Sequence, residues 1–220
     1  ETLSPFYLDA GPLFLVYGGL LDADDELMQA TRLWFREGPP QALYRQDGNM
    51  GQIAALHHEM SSCEPCYSWN VFHAWQAGDR ARFLEGMYSL FAGAVSRKTF
   101  ISCETRGGIT GTLFAAPLPS CLARLAMVDD QLQDGELHLL RLAPRAWLPA
   151  AQFDKLPTEF GPVTLRTQLS RDRKTLRVVF RPRFRQPPRR ILLHVPPVPG
   201  LRRVTVNGRQ LDVARKIHVL

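Results

Sequence analysis

A chain of 220 residues with 45% hydrophobic and 22% charged side chains has the composition of a folded globular protein, which excludes a disordered tail or a fibrous repeat. Its longest apolar run, Gly11 to Leu21, is broken by Pro12, Tyr17 and two glycines and is too short to span a bilayer, so no membrane contact is expected. The net charge of +6 is concentrated near the end, at Arg171, Arg173, Lys174, Arg177, Arg181, Arg183, Arg185, Arg189 and Arg190, which alternate with Leu176, Val178, Phe180 and Phe184 as the wet face of a half-buried sheet does; this favours a solvated sheet over a nucleic-acid site.

The chain opens Glu1-Thr2-Leu3-Ser4, with neither a basic stretch nor a Met, as expected of a piece of a longer protein or of a processed N-terminus. The first helix is expected from Asp22 to Glu37. Asp22, Asp24 and Asp25 stand at its positive end, Leu27, Met28, Thr31, Leu33 and Trp34 follow at helical spacing, and Gly38-Pro39-Pro40 stops it. A second helix is expected from about Cys66 to Ala77 and a third from about Arg80 to Ser96, with Phe83, Met87, Leu90, Phe91 and Ala94 in a 3-4 pattern. The short Gly78-Asp79 link makes these two an antiparallel hairpin. A fourth helix is expected from about Ser120 to Val128.

The period then changes from helical to alternating. Short β-like runs occupy Glu136 to Arg141, Pro162 to Gln168, Thr175 to Arg181 and Arg190 to Val195, separated by turn residues; Val204 to Gln210 contains Asn207-Gly208, a type I′ hairpin signal. These patterns predict an α+β chain: a helical region over 1–147 and an antiparallel β-sandwich over 148–220, with the border between Leu142 and Asp154. The helical faces are too broad for one hairpin to cover, so missing N-terminal helices of the same parent chain or an oligomeric partner are expected to cover them.

Named catalytic motifs are absent: there is no Walker loop, no G-x-S-x-G and no G-x-G-x-x-G, and His58-Glu59 lacks the second His of a zincin helix. Cys63 and Cys66 form a C-x-x-C, but Cys103 and Cys121 supply no second tight pair for zinc, and no βαβ context supports redox chemistry. Neither a metal nor an organic cofactor is expected. Carboxylates, aromatics and histidines gather in two irregular segments, Leu56 to Trp69 and Lys98 to Gly108. Two carboxyls facing each other across a cleft would suit glycosidic cleavage, one protonating the leaving oxygen and the other activating water. Glu64 could equally cap the helix after it, Glu104 could pair with Arg106 or Lys98, and His57, His58 and His73 could be structural hydrogen-bonders.

At these residues the chain resembles the C-terminal part of bacterial proteins related to the six-hairpin glycosidases, the group containing α-L-rhamnosidase-type enzymes. The resemblance is carried by "GGLLDADDELMQATRLWFREGPP", by "HEMSSCEPCYSWNVFHAWQAGDRARFLEGMYSLFAGAVSRKTFISCE", and by "DGELHLLRLAPRAWLPA" leading into "FGPVTLRTQLS" and "VTVNG". It implies late hairpins of an α/α toroid followed by a closing β-sandwich that braces the barrel. It also implies a carbohydrate substrate, general acid/base catalysis by Glu64 and Glu104, and sugar contacts from Tyr67, Trp69, His58 and Arg106. By analogy the outcome is inversion, which requires carboxyls roughly 6.5–9.5 Å apart. A toroid fragment would be inactive alone. The main rival is a carbohydrate-binding or assembly module of the same architecture without catalysis; a third is an anion- or nucleic-acid-binding module using the basic tail.

Overall fold

The structure, a computed structural model, describes residues 16, 18–30, 70–93 and 117–220. The chain is a mixed α/β protein that divides into two compact units, Glu1–Leu122 and Ala123–Leu220.

In the first unit residues 26–30 are helical, and Asp25 rather than Asp22 starts the turn. Its carboxylate accepts the N–H of Leu27 at 2.9 Å, which satisfies one donor that a helix start leaves unpaired. Val16, Ala23 and Met28 bury together, with Leu21 packed against them. The expected continuation to Glu37 lies outside the described residues. Helix α1 (Asn70–Ala77) and helix α2 (Arg80–Gly93) form the expected hairpin. The link works because Gly78 takes a left-handed backbone, φ +71°. Its N–H donates to Trp75 O and that of Asp79 to Ala74 O, the paired bonds of a Schellman ending. Asp79 then caps α2 by accepting the N–H of Arg82 at 3.1 Å. Two residues thus end one helix and begin the next. Val71, Phe72, Ala74 and Trp75 of α1 and Phe83 and Met87 of α2 are buried. Gly86 lets the helices approach closely, since a Cβ there would stand 3.1 Å from that of Val71.

Helix α3 (Leu118–Met127) spans the boundary between the two units, and the regular elements that follow it are all strands. They are β1 (Val128–Asp129), β2 (Glu136–Leu139), β3 (Gln152–Leu156), β4 (Val163–Leu169), β5 (Thr175–Pro182), β6 (Arg190–His194), β7 (Arg203–Val206), β8 (Arg209–Leu211) and β9 (Ile217–Val219). One sheet has the order β1-β2-β6-β9 and the other β3-β4-β5-β7-β8. Sheet residues therefore begin at Val128, ahead of the Leu148 at which the β-region was expected to start. The expectation of purely antiparallel sheets is corrected: β2 and β6 are parallel, and so are β5 and β7. The cause is the path of the chain, which leaves for the other sheet between the members of each pair and re-enters beside the earlier strand in the same direction.

Alternation decides which face is wet. On β4 Val163, Leu165 and Thr167 point inward while Arg166 and Gln168 are exposed; on β5 Leu176, Val178 and Phe180 point inward while Arg177 and Arg181 are exposed. The inward rows join Leu137, Leu139, Leu142, Leu148, Leu193, Val204 and Leu211 in the core. The segment 140–150 is a series of tight turns, and Leu148 closes it by accepting the N–H of Leu169 at 3.1 Å. Strand β3 carries an irregularity between Phe153 and Leu156, with Lys155 at φ +52°, which disguises its period in the sequence.

Candidate functional site

Glu64, Glu104, His58, Tyr67, Trp69 and Arg106, the residues that the sequence singles out for chemistry, lie outside the described residues. His73 is described. It is buried in α1, and its Nε2–H donates to the carbonyl of Ala23 at 2.8 Å, a structural hydrogen bond.

The densest group of titratable side chains among the described residues lies on the four-stranded sheet. Parallel register sets Glu136 opposite Arg190 and His138 opposite Leu192, and antiparallel register sets Asp129 opposite His138. Asp129, Glu136 and His138 are buried. Arg190 grips the Glu136 carboxylate through Nη2 and through Nε at 2.7 Å. His138 Nδ1 lies 3.0 Å from His194 Nε2, and the two rings stack with centroids 5.2 Å apart. His138 Nε2 lies 3.2 Å from Glu136 Oε2 but is not aligned for a hydrogen bond, so that contact contributes charge rather than direction.

Burial, the largest influence, holds His138 below the usual imidazole value; Asp129 and Glu136 oppose the shift and Arg141 reinforces it. His194 is pushed down to about 4, first by burial and then by His138 and Arg141. Burial also lowers Arg141, which Asp129 opposes; its guanidinium remains a cation at neutral pH. Both imidazoles are therefore neutral in the fold at pH 7, one donating to the other. The cluster reads as a structural network that holds β2 and β6 in register.

A pH dependence arises from these shifts. In the unfolded chain His194 takes up a proton below about 6.5, whereas the folded chain resists until about 4. The unfolded state binds more protons over that window, so stability is lost as pH falls from 6.5 to 4. His194 accounts for about 1–2 kcal/mol of this loss after allowing for solvent screening of a half-buried ring. Denaturant titrations at pH 7 and 4.5 should show His194→Gln losing less stability than the parent chain. Equal losses would mean that this pair does not govern the acid limb.

The second feature is the outward face of the five-stranded sheet. Register puts Arg177 of β5 opposite Gln168 of β4 and Thr205 of β7, Arg166 opposite Val179, Thr164 opposite Arg181, and Thr175 opposite Arg203. Arg203, Arg177, Arg166 and Arg181 thus follow one another in a zigzag, each step one strand across and two residues along, about 8 Å. All four are exposed. Arg166 pairs with Asp154 at 3.0 Å; Arg177, Arg181 and Arg203 have no carboxylate partner among the described residues. Two shallow depressions lie on this face. One of about 250 Å³ is lined by Lys155, Thr164, Arg166, Arg181 and Arg183 with Asp154 and Val179. The other, about 310 Å³, is lined by Gln168, Ser170, Thr175, Arg177 and Arg203.

The alternation in the sequence marks Arg177 and Arg181 as wet. It does not bring Arg166 and Arg203 beside them, because that requires the β4–β5 and β5–β7 registers. It also groups Arg190 with the solvated arginines, whereas the fold commits Arg190 to Glu136. Among the described residues no cluster of three or more His, Cys, Asp or Glu is arranged to hold a metal ion, and no helix is long and apolar enough to cross a membrane. No family model matches the chain, and neither a curated protein nor a solved structure matches it.

Proposed function

We propose that the chain is the C-terminal part of a carbohydrate-active hydrolase of the six-hairpin glycosidase type, with Glu64 and Glu104 as its acid/base carboxylates. The observation that supports this reading most is the α1–α2 hairpin. Its two-residue link, Schellman ending and Asp79 cap form a self-contained helical pair of the kind from which an α/α toroid is assembled. Exposed Leu20, Leu27 and Tyr88 in the same unit are consistent with cover from further helices. In this reading hydrolysis requires the parent protein.

The test uses that parent. Glu64→Gln and Glu104→Gln should each lower turnover of a susceptible glycoside at least about 100-fold while leaving the denaturation midpoint in place. Undiminished turnover in either variant would remove that residue from the catalytic pair. A second reading, binding of carbohydrate without catalysis, is favoured by the open polar face of the five-stranded sheet, which offers hydroxyl, amide and guanidinium groups at two depressions.

A further inference from the structure

The outward face of the five-stranded sheet concentrates cations, most of which have no carboxylate partner among the described residues; Arg166, paired with Asp154 at 3.0 Å, is the exception. The two depressions are lined by six of them (Lys155, Arg166, Arg177, Arg181, Arg183 and Arg203) against one carboxylate, Asp154. Asp172, in the turn at the end of the face, is engaged by the Ser170 hydroxyl and the Lys174 N–H. The inward halves of β4 and β5 already hold the sheet through Val163, Leu165, Leu176, Val178 and Phe180, so outward arginines are not needed for packing. Glutamate or lysine–glutamate pairs would keep such a face soluble equally well. Arginines repeated about 8 Å apart instead present guanidinium forks in a row, and a guanidinium is suited to bidentate capture of a carboxylate or sulfate.

We infer that this face binds an anionic polysaccharide, a polymer carrying a carboxylate on successive sugars, laid along the Arg203–Arg177–Arg166–Arg181 row. The groups between the arginines favour a polysaccharide over a nucleic acid. Thr164, Gln168, Thr175 and Thr205 offer hydroxyls and an amide to sugar hydroxyls. Single-stranded nucleic acid is held on sheets by aromatic side chains that stack the bases, and the outward positions of β4, β5 and β7 carry none. Major-groove readers insert a helix or a two-stranded ribbon, and proteins that lie on the minor groove wedge large apolar side chains such as phenylalanine between base steps; this face is a broad five-stranded surface whose β4, β5 and β7 positions carry no outward aromatic. The depressions lie at or below the small end of the usual range for ligand sites, roughly 300–1,000 Å³, which suits single sugar units of a longer chain. The inference stands on sheet register and charge and does not depend on the hydrolase reading.

The probe is polygalacturonate, with its carboxyl-reduced form and single- and double-stranded DNA alongside, titrated against the full chain. Binding of polygalacturonate should weaken steeply with added salt, and the carboxyl-reduced polymer should not bind. The triple variant Arg177→Gln, Arg181→Gln, Arg203→Gln should bind about tenfold more weakly or worse, with an unchanged denaturation midpoint because all three side chains are exposed. A charge-matched control, Arg145→Gln, Arg215→Gln, Lys216→Gln, removes three exposed cations from elsewhere and should bind as the parent does. Equal weakening in both triples would reduce the effect to net charge and overturn the assignment. So would tighter binding of either DNA than of polygalacturonate, or undiminished binding of the carboxyl-reduced polymer.

Discussion

Replacing Gly161 with alanine is expected to destabilise the C-terminal unit by about 4 kcal/mol, combining left-handed strain with a backbone collision. Gly161 sits at φ +125°, a region that side-chain-bearing residues scarcely enter. It also lies against another stretch of main chain. A Cβ there would come within 2.6 Å of Arg183 O and 2.9 Å of Arg185 N, and backbone cannot swing aside as a side chain can. The approach is enforced from both sides: Arg183 N–H donates to Pro162 O and Arg185 N–H to Phe160 O, each at 2.8 Å. Phe160 meets Phe184 edge-on, with ring centroids 6.4 Å apart. Relief of the clash must therefore break hydrogen bonds that the turn depends on. Gly200→Ala is the internal control, since Gly200 has φ +78° and open space around it; it should cost only about 1 kcal/mol. Urea titration of both variants separates the two contributions. Similar losses in the two would show that the 183–186 segment yields and that the close approach is not a constraint.

Asn207→Ala is the second, expected to cost about 3 kcal/mol through two lost hydrogen bonds and a disfavoured backbone. Asn207 and Gly208 have φ +50° and +88°, the pair of positive values that a type I′ turn needs between β7 and β8. Asparagine tolerates that region better than alanine does. Its side chain has a further task. Oδ1 accepts the Phe180 N–H at 2.9 Å, and Nδ2 donates to Phe180 O at 2.7 Å. The Asn207 N–H donates to Val178 O. The side-chain amide thus imitates one more residue of strand pairing after β7 has ended, satisfying the main chain of Phe180. Asn207→Gly keeps the turn conformation and removes only the amide, so it should fall between the parent and alanine, losing about 2 kcal/mol. If the glycine variant matches the parent in denaturant, water replaces the amide and the pairing contributes nothing.

Legibility differed between elements for reasons that are local or not. The α1–α2 hairpin could be read because everything that shapes it lies within a few residues: an apolar 3-4 period, a glycine able to turn left-handed, and an aspartate to cap the second helix. The same holds for β4, β5, β6 and the Asn207-Gly208 hairpin, whose period and turn chemistry sit in short windows. Strand β3 escaped because its irregularity at Phe153–Leu156 breaks the alternation, and β1 and β9 escaped because two or three residues carry no period. The catalytic candidates rest on residue types in two irregular segments, where no period says which side chains converge.

The sequence by itself determined the change from helix to strand, the wet and dry faces of the long strands, and the turns at Gly78-Asp79 and Asn207-Gly208. Those properties come from backbone sterics and from the partition of apolar side chains, which act over a few neighbours. Only the tertiary structure decided the parallel pairs β2–β6 and β5–β7, the neutral His138–His194 contact, and the row of arginines from three different strands. Those depend on register between segments up to some fifty residues apart. Register is set jointly by every inward side chain of both sheets, and no short window of sequence contains it.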